Sequence, residues 1–270
     1  MGDCRSIYLE ACAEVANDFL TDGFRYLKSQ CALVKKEPDL VFRIGFRSDR
    51  RNWLVEHPVE GVAPNIDDLN FFAPIEEIER EMAAYGSILM YVLVRVDSAR
   101  IETWRNSLPH PLLTGDIVAG CHLGDLVGNG RQWMIANLAN PKTRHQRIWA
   151  IVCMIKENAL PYFERLRDPK KIVADAIKTS GRGWGIREPI EYAFFHCGKA
   201  AAMSLFKRRL KMTATSNVDG MLCYPDFQAD YKKALEDFRQ HGIPAPNTSF
   251  GNVEQQLAFI ALALGLEPMK

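Results

Sequence analysis

The chain lacks an excess of charge of either sign, and this absence disfavours partners that are bound through the overall charge of a protein. It has 34 Lys and Arg residues against 33 Asp and Glu residues, which gives a net charge of +1. A protein that binds nucleic acid or an acidic membrane surface through its overall charge needs a clear basic excess. We therefore expect neither nucleic acid nor a membrane as the main partner.

Long apolar runs are also lacking. The longest, LAFIALALGL near the end of the chain, has ten residues, whereas a membrane-spanning helix needs about 20. The first residues, MGDCRSIYLEACAEVANDF, carry charges throughout and lack the apolar core of a signal peptide. We expect no membrane segment, and we expect the protein to act in the cytoplasm.

The seven cysteines have no paired spacing. They stand at positions 4, 12, 31, 121, 153, 197 and 223, and no two of them form a Cys-x-x-Cys motif. Zinc sites need clustered thiolate and imidazole ligands, and a free cysteine on an apolar face behaves as a small hydrophobic residue. We expect reduced cysteines, no metal and no cofactor.

Short motifs that carry catalysis are missing as well, among them the Walker loop, the Gly-x-Ser-x-Gly elbow and His-Glu-x-x-His. The glycine-rich stretch GCHLGDLVGNGRQW, residues 120–133, is followed by a strand-like segment rather than by the helix of a dinucleotide site. Asn129-Gly130 favours a hairpin turn, so we predict a β-hairpin here. His122 and Asp125 would then lie three apart on a strand and face opposite sides of the sheet.

The first part of the chain mixes helical and strand patterns. Apolar residues at helical spacing from Tyr8 to Phe19 predict a helix that ends at Gly23. The alternation in DLVFRIGFR predicts a half-buried strand, with SQCALVKKEPDL as its antiparallel partner. The apolar SILMYVLVRV at 87–96 predicts a central strand covered on both faces, and a short helix capped by Asp97 or Ser98 follows it.

The second part of the chain is predicted to be helical. Thr143 and Gln146 form a capping-box pattern before a long helix, which Pro161 should kink or restart near Leu160. Further helices are predicted at about 169–180, 188–211, 225–241 and 253–264. The fold class is therefore α+β, an antiparallel sheet with flanking helices followed by an all-α C-terminal region. We expect two domains, 1–168 and 169–270, with the second packed against the first.

Two segments carry residues typical of protein interfaces. Residues 48–74 have no clear period and contain three prolines, and long loops are either functional or mobile. Basic residues crowd the start of the long helix, where the helix dipole disfavours cations, and such a broken local rule can mark a site for an acidic partner. The candidate partner-binding residues are Arg50, Arg51, Trp53, Phe71, Phe72, Lys142, Arg144 and Arg147. By contrast, the acidic EEIEREM at 76–82 is expected to be a solvated helix face.

Four segments together resemble a bacterial family of uncharacterised domains. They are FLTDGFRYLKSQCALVKKEPDLVFRIGFRSD, VLVRVDSARIETWR, GCHLGDL…WMIANLA and IVCMIKENALPYFERLRDP, within about residues 7–168. In such members a helix ends at Gly-Phe and a later helix closes with Ala-Leu-Pro-aromatic-Phe-Glu, which Gly23-Phe24 and the segment from Ala159 to Glu164 match. Members of the family occur among candidate immunity proteins beside polymorphic toxins and type VI secretion effectors.

The resemblance implies an immunity-type protein that binds and neutralises a cognate bacterial toxin, such as a type VI secretion effector. It carries over no catalytic residue, because the matching residues are core and turn positions. The alternative is an enzyme whose site is assembled from sequence-distant residues. In that case His122, Asp125, His145, Glu157 and His196 would converge on one cleft. A nucleic-acid-associated protein that uses 142–147 and 207–211 is disfavoured by the neutral net charge.

Overall fold

The structure, a computed structural model, describes residues 3–49, 51–57, 75–108, 116–127, 135–179, 184–213, 227–242 and 252–267. The elements up to residue 137 are α1 Cys4–Asn17, β1 Arg25–Leu27, a 3₁₀ turn Lys28–Gln30, β2 Ala32–Lys36, β3 Val41–Arg47, β4 Trp53–Leu54, α2 Ile75–Tyr85, β5 Gly86–Ser87, β6 Leu89–Asp97, α3 Ala99–Ser107, β7 Ile117–His122, α4 Leu123–Val127 and β8 Ile135–Asn137. The later elements are α5 Arg144–Met154, a π-helical turn Ile155–Ala159, α6 Leu160–Leu166, α7 Pro169–Thr179, α8 Glu188–Cys197, α9 Lys199–Thr213, α10 Phe227–His241 and α11 Val253–Ala263.

The strands form an antiparallel sheet with flanking helices, and a helical C-terminal region follows, as the sequence predicts. The strand order is β1-β2-β3-β6-β7, β8 also pairs with β6, and β4 and β5 form a separate two-stranded ladder. The predicted hairpin is confirmed, because β2 and β3 pair with Leu33 opposite Ile44. β6 is an internal strand, but its burial alternates along the strand. Only one of its faces is therefore fully covered, and not both as the apolar run suggested.

The predicted β-hairpin at 120–133 is wrong. β7 ends at His122 and the chain enters α4, while β8 pairs with the start of β6, with Leu89 opposite Asn137. The Asp125 carboxylate accepts a hydrogen bond of 2.8 Å from the backbone N–H of His122. A carboxylate near the third position of a helix closes the helix start in this way. This local cap favours a helical turn over the strand propensity of the flanking residues, and Asn129-Gly130 lies outside the described residues.

Glycines and caps also move the expected helix ends. α1 ends at Asn17, before Gly23, which adopts a φ of +84° in the turn that follows. The helix predicted over 188–211 is two helices, because Gly198 with a φ of +84° separates α8 from α9. The restart near Leu160 is confirmed, since α6 begins there after the π-helical turn. The capping box is not formed, because the Thr143 side chain makes no cap hydrogen bond.

The chain divides into two compact units. The first unit consists of Met1–Lys36, Val41–Arg95 and His122–Tyr162, and the second of Glu37–Leu40, Val96–Cys121 and Phe163–Lys270. In the first unit α1 packs against α5 and β2, and in the second α8 packs against α3, α7 and α9. None of the described helices has the length and apolar character needed to cross a membrane. The domain boundary at 168 and the packing of the helical domain against the first domain stay predictions.

Candidate functional site

An exposed tryptophan marks the short β4–β5 ladder of the first unit. Trp53 pairs with Ser87 and Leu54 with Gly86, and the Val55 N–H donates to the Tyr85 carbonyl at 3.2 Å. The Trp53 side chain is nevertheless 44% exposed. The backbone of Trp53 is thus paired with β5, while its large aromatic side chain is exposed to solvent.

The path of β4 depends on the absence of a side chain at Gly86. This residue has a φ of +100°, which disfavours any residue with a Cβ. A Cβ added there would lie 2.3 Å from the Trp53 carbonyl oxygen and 2.7 Å from the Leu54 Cα. Both neighbours are backbone atoms, so β4 could not keep its place beside any other residue.

A buried asparagine ties this ladder to the segment that leads into α5. Asn137 is fully buried, and its Oδ1 accepts hydrogen bonds from the Ile88 N–H at 3.0 Å and the Ala139 N–H at 3.1 Å. Its Nδ2 donates to the Gly86 carbonyl at 3.0 Å. Asn137 therefore binds the backbone on both sides of Ser87, the residue opposite Trp53.

A buried glutamate holds the start of α5 from the other side. Glu81 of α2 is 1% exposed, and its Oε1 accepts from Asn140 Nδ2 at 3.2 Å and from Thr143 Oγ1 at 3.1 Å. Its Oε2 forms an ion pair with Arg147 at 2.6 Å. The prediction that 76–82 is a solvated helix face is therefore wrong at Glu81, because three polar partners compensate for the loss of water around the carboxylate.

The basic residues around the start of α5 serve different purposes. Arg144 donates from Nε to the Leu138 carbonyl at 2.7 Å, and burial lowers the pKa of its guanidinium while Glu10 and Glu14 oppose this shift. Arg147 is held by Glu81. These acceptors offset the unfavourable helix dipole. The Lys142 side chain is exposed, whereas its backbone N–H donates to Asn140 Oδ1 at 3.0 Å.

The other predicted partner-binding residues fall in the loop before α2. Arg51 is exposed, and its backbone N–H donates to Asp49 at 3.2 Å. Arg50, Phe71 and Phe72 lie outside the described residues. We give the name Trp53 surface to the predicted residues Arg51, Trp53, Lys142, Arg144 and Arg147. Contacts of Gly86, Asn137 and Glu81 link the segments of the chain that carry them.

Sequence reasoning missed the three residues that hold the Trp53 surface together. Gly86 stands directly before an apolar strand, and Asn137 interrupts the apolar run MIANLA. A polar residue or a glycine within such a run is a signal for a backbone contact. The partners of Asn137 and Glu81 are distant in sequence, so their identity could not be predicted.

Among the residues of the enzymatic alternative, a hydrogen bond joins His122 and Asp125. These two do not face opposite sides of a sheet as expected, because Asp125 lies on α4 and contacts the His122 backbone. Burial raises the pKa of the Asp125 carboxyl, while His122 opposes the shift. The exposed His145 contacts Glu14 at 2.7 Å, and Glu157 is exposed.

His196 of the second unit packs instead against aromatic rings of its own helix α8. Its ring lies 4.3 Å from that of Tyr192 and 4.7 Å from that of Phe195, between ring centroids. In the described part of the chain, no three His, Cys, Asp or Glu side chains gather in a way that could hold a metal ion. Of the five residues proposed for the enzymatic alternative, His122 and Asp125 are therefore the pair that the structure places in contact.

Comparison of the chain with protein-family models, with curated proteins and with solved structures found no match. The resemblance over about residues 7–168 therefore stays a hypothesis. It depends on the segments quoted above.

Proposed function

We propose that this protein is an immunity-type protein of the bacterial cytoplasm that binds and neutralises a cognate toxin, such as a type VI secretion effector. The observation that supports a binding role most strongly is Trp53, which is 44% exposed on a backbone fixed by pairing with β5. The family resemblance supplies the toxin as the class of partner. The Trp53 surface is the proposed contact region.

An exposed tryptophan on a fixed backbone suits a binding hot spot. Tryptophan is enriched among the few interface residues that carry most of the binding energy. Its rigid ring offers a large contact area and loses little conformational entropy when a partner covers it. Because Gly86 and Asn137 already fix the strand beneath Trp53, binding would not have to order the backbone there.

The charged residues of the Trp53 surface favour an acidic partner. Arg51 and Lys142 are exposed and basic, so they can lie at the rim around the tryptophan. Rim charges act mainly on the association rate and on its dependence on salt. Arg144 and Arg147 are bound to groups of this chain, so they act as positioning residues for the start of α5.

The test is co-expression of this protein with the product of the neighbouring gene. We expect a stable complex and protection of cells that the neighbour alone would kill. Trp53→Ala should weaken binding about 30-fold, which corresponds to a hot-spot loss of about 2 kcal/mol. Trp149→Ala is the matched control, because Trp149 of α5 is 54% exposed but lies about 160° around the helix from Arg147.

Two results would count against the proposal in different ways. A neighbour that is harmless to cells without this protein would remove the immunity role. If Trp149→Ala weakens the complex and Trp53→Ala does not, the protein still binds the toxin, but the Trp53 surface is not the contact region.

The enzymatic alternative has one observation in its favour: the backbone N–H of His122 contacts the partly buried Asp125 carboxyl, whose pKa burial raises, and this places the carboxyl next to a histidine in the chain. Perturbed carboxyls beside a histidine are a feature of acid–base sites. The variant His122→Gln distinguishes the two functions. Protection that is lost while the complex still forms would support catalysis, whereas unchanged protection would leave binding as the function.

A further inference from the structure

The outer edge of β4, which faces away from β5, is a sheet edge. Among the strands that the structure describes, β4 has β5 as its one neighbour, and the two form a ladder of their own. In this ladder Trp53 lies opposite Ser87 and Leu54 opposite Gly86. An unpaired strand edge is a template on which a strand of another chain can pair.

The hydrogen-bond pattern of the ladder determines which backbone groups point outward. Residue pairs in an antiparallel ladder alternate between pairs that exchange hydrogen bonds and pairs that do not. The Val55 N–H donates to the Tyr85 carbonyl at 3.2 Å, so the preceding pair, Leu54 and Gly86, is of the second kind. The N–H and the carbonyl of Leu54 therefore point away from β5, and no described residue forms a hydrogen bond with either group.

Side-chain hydrogen bonds fix the backbone just before β4. Asn52 Nδ2 donates to Ser48 Oγ at 2.7 Å, and Ser48 Oγ donates to the Leu89 carbonyl at 2.7 Å. The Leu89 N–H donates to Asn52 Oδ1 at 3.4 Å. These bonds tie the residues before Trp53 to the first residue of β6. The edge is thus formed in the free protein, and a partner does not have to order it.

The side chains beside this edge favour an apolar strand with an acidic end. A residue opposite Trp53 on an added strand would be its cross-strand neighbour, and an aromatic residue pairs well with a β-branched or another aromatic residue. Arg51, which is exposed two residues earlier, can bind an acidic residue farther along that strand. Because β4 has two residues, few backbone hydrogen bonds can form, so Trp53 and Arg51 must supply much of the affinity.

We propose that the toxin adds an extended segment of its own chain to the outer edge of β4, where the segment pairs with the backbone of Leu54 and packs an apolar side chain on Trp53. This inference rests on the proposed function and specifies how the Trp53 surface is recognised. In such strand addition, main-chain hydrogen bonds contribute affinity and the alternating side chains contribute specificity.

Amide hydrogen exchange of single residues, measured by NMR, tests the proposal first in the free protein. Of the neighbours Leu54 and Val55, Val55 has its N–H bonded inside the ladder. After correction for intrinsic rates, the Leu54 amide should therefore exchange at least about tenfold faster than the Val55 amide. A Leu54 amide that is already protected would overturn the proposal, because another part of this chain or a second copy would then cover the edge.

The second measurement adds the product of the neighbouring gene. Exchange at Leu54 should slow by at least about tenfold in the complex, while Val55 stays protected. The variant Leu54→Pro removes the outward N–H, and an edge strand tolerates proline where the N–H faces outward. It should weaken the complex at least about tenfold relative to the matched control Leu54→Ala, which keeps the N–H. Unchanged exchange at Val55 verifies that Leu54→Pro keeps the ladder.

The outcomes distinguish this proposal from the proposed function. A complex in which Leu54 stays unprotected, and which Leu54→Pro and Leu54→Ala weaken equally, would overturn strand addition and leave the immunity role in place. A neighbour that forms no complex and does not harm cells would remove the immunity role, and strand addition with it. If Leu54→Pro also accelerates exchange at Val55, the ladder has opened in the variant, and the protection of Leu54 in the wild-type complex decides between the two results.

Discussion

At the scale of the residue, His196 is a titratable side chain that the fold holds in an unfavourable environment. Its imidazole packs against the rings of Tyr192 and Phe195. Its Nε2 is buried and makes no hydrogen bond to any described residue. Burial lowers the pKa of His196, and Arg100 lowers it further, while Asp39, the ion-pair partner of Arg100 at 2.6 Å, opposes the shift.

This lowered pKa predicts that the protein loses stability in mild acid. The unfolded chain binds a proton to His196 near pH 6.5, whereas the folded chain binds it only at a lower pH. As the pH falls below about 6.5, the unfolded state therefore gains protons that the folded state does not, and the free energy of unfolding decreases. Above about pH 7 this loss is absent. Urea denaturation between pH 5 and pH 8 measures the effect.

The variant His196→Gln should flatten this pH dependence, whatever its effect on stability at pH 8. His241→Gln is the control, because His241 is 72% exposed on α10. If the free energy of unfolding of His196→Gln decreases in mild acid as much as that of the wild type, another group causes the decrease and the assignment to His196 is wrong.

Single residues also show what the sequence could and could not predict. Phe42, Ile44 and Phe46 are buried as their alternation predicts, because a period of two needs no knowledge of the rest of the chain. Glu81 looks like an ordinary residue of an acidic helix face, and Asn137, although it interrupts an apolar run, gives no sign of which groups it binds. Their importance comes from partners up to 62 positions away, and no local pattern contains that information.

At the scale of the element, the β4–β5 ladder depends on Gly86 for two reasons. Its φ is positive, and there is no room for a Cβ beside β4. Gly86 and Gly198 both adopt a left-handed φ, +100° and +84°. A Cβ at Gly86 would lie 2.3 Å from the Trp53 carbonyl oxygen, whereas a Cβ at Gly198 would meet nothing within 4 Å. Both positions carry a penalty for a positive φ, and of the two only Gly86 adds a collision with the backbone.

Gly86→Ala should therefore destabilise the protein more than Gly198→Ala. Gly198 has a φ of 84° and a ψ of 174°, a region that is essentially restricted to glycine and costs about 1–3 kcal/mol for other residues, and we expect roughly this loss for alanine there. At Gly86 the loss should exceed it by about 1 kcal/mol or more, since backbone strain adds to it. Urea denaturation of the two variants gives both values. Equal losses would show that β4 moves aside without cost and that Gly86 does not fix it.

Two of the features that were predicted incorrectly share a physical cause. The stretch 120–133 has strand formers and a turn signal, yet Asp125 caps the helix α4 directly after His122. A single side-chain hydrogen bond to the backbone competes with strand propensity at this position. The same holds for Thr143, whose hydroxyl bonds to Glu81 instead of closing a capping box. The apolar patterns of α1 and β3 predicted the type of element correctly, whereas the structure at these two positions is decided by one polar contact.

At the scale of the whole molecule, a buried ion pair of the second unit joins residues on either side of position 168. Arg105 is 1% exposed and donates from Nε to Glu191 Oε2 at 2.5 Å. Its Nη1 donates to the Ile117 carbonyl at 2.7 Å. Glu191 is fully buried, and burial raises the pKa of its carboxyl while Arg105 opposes the shift. Trp184 also donates to the Val118 carbonyl, at 3.2 Å.

Truncation after Asp168 should therefore produce a chain that aggregates. It removes Glu191 and leaves Arg105 in a site where its charge has lost the carboxylate that compensates for burial, which typically costs about 3–5 kcal/mol. Such a loss is a large fraction of the stability of a typical domain. It also uncovers the apolar residues of α3 that α8 covers within the second unit. Size-exclusion chromatography and thermal melting of the truncated chain measure the outcome.

The full-length variant Glu191→Gln separates the loss of charge from the loss of the helices. Glutamine keeps an acceptor for Arg105 but removes the negative charge, so this variant should remain soluble and melt at a lower temperature. If the truncated chain stays soluble and melts as cooperatively as the whole protein, residues 1–168 fold independently and the predicted packing of the C-terminal helices is wrong. If Glu191→Gln also aggregates, the ion pair alone accounts for the result, and the covered apolar surface is not needed to explain it.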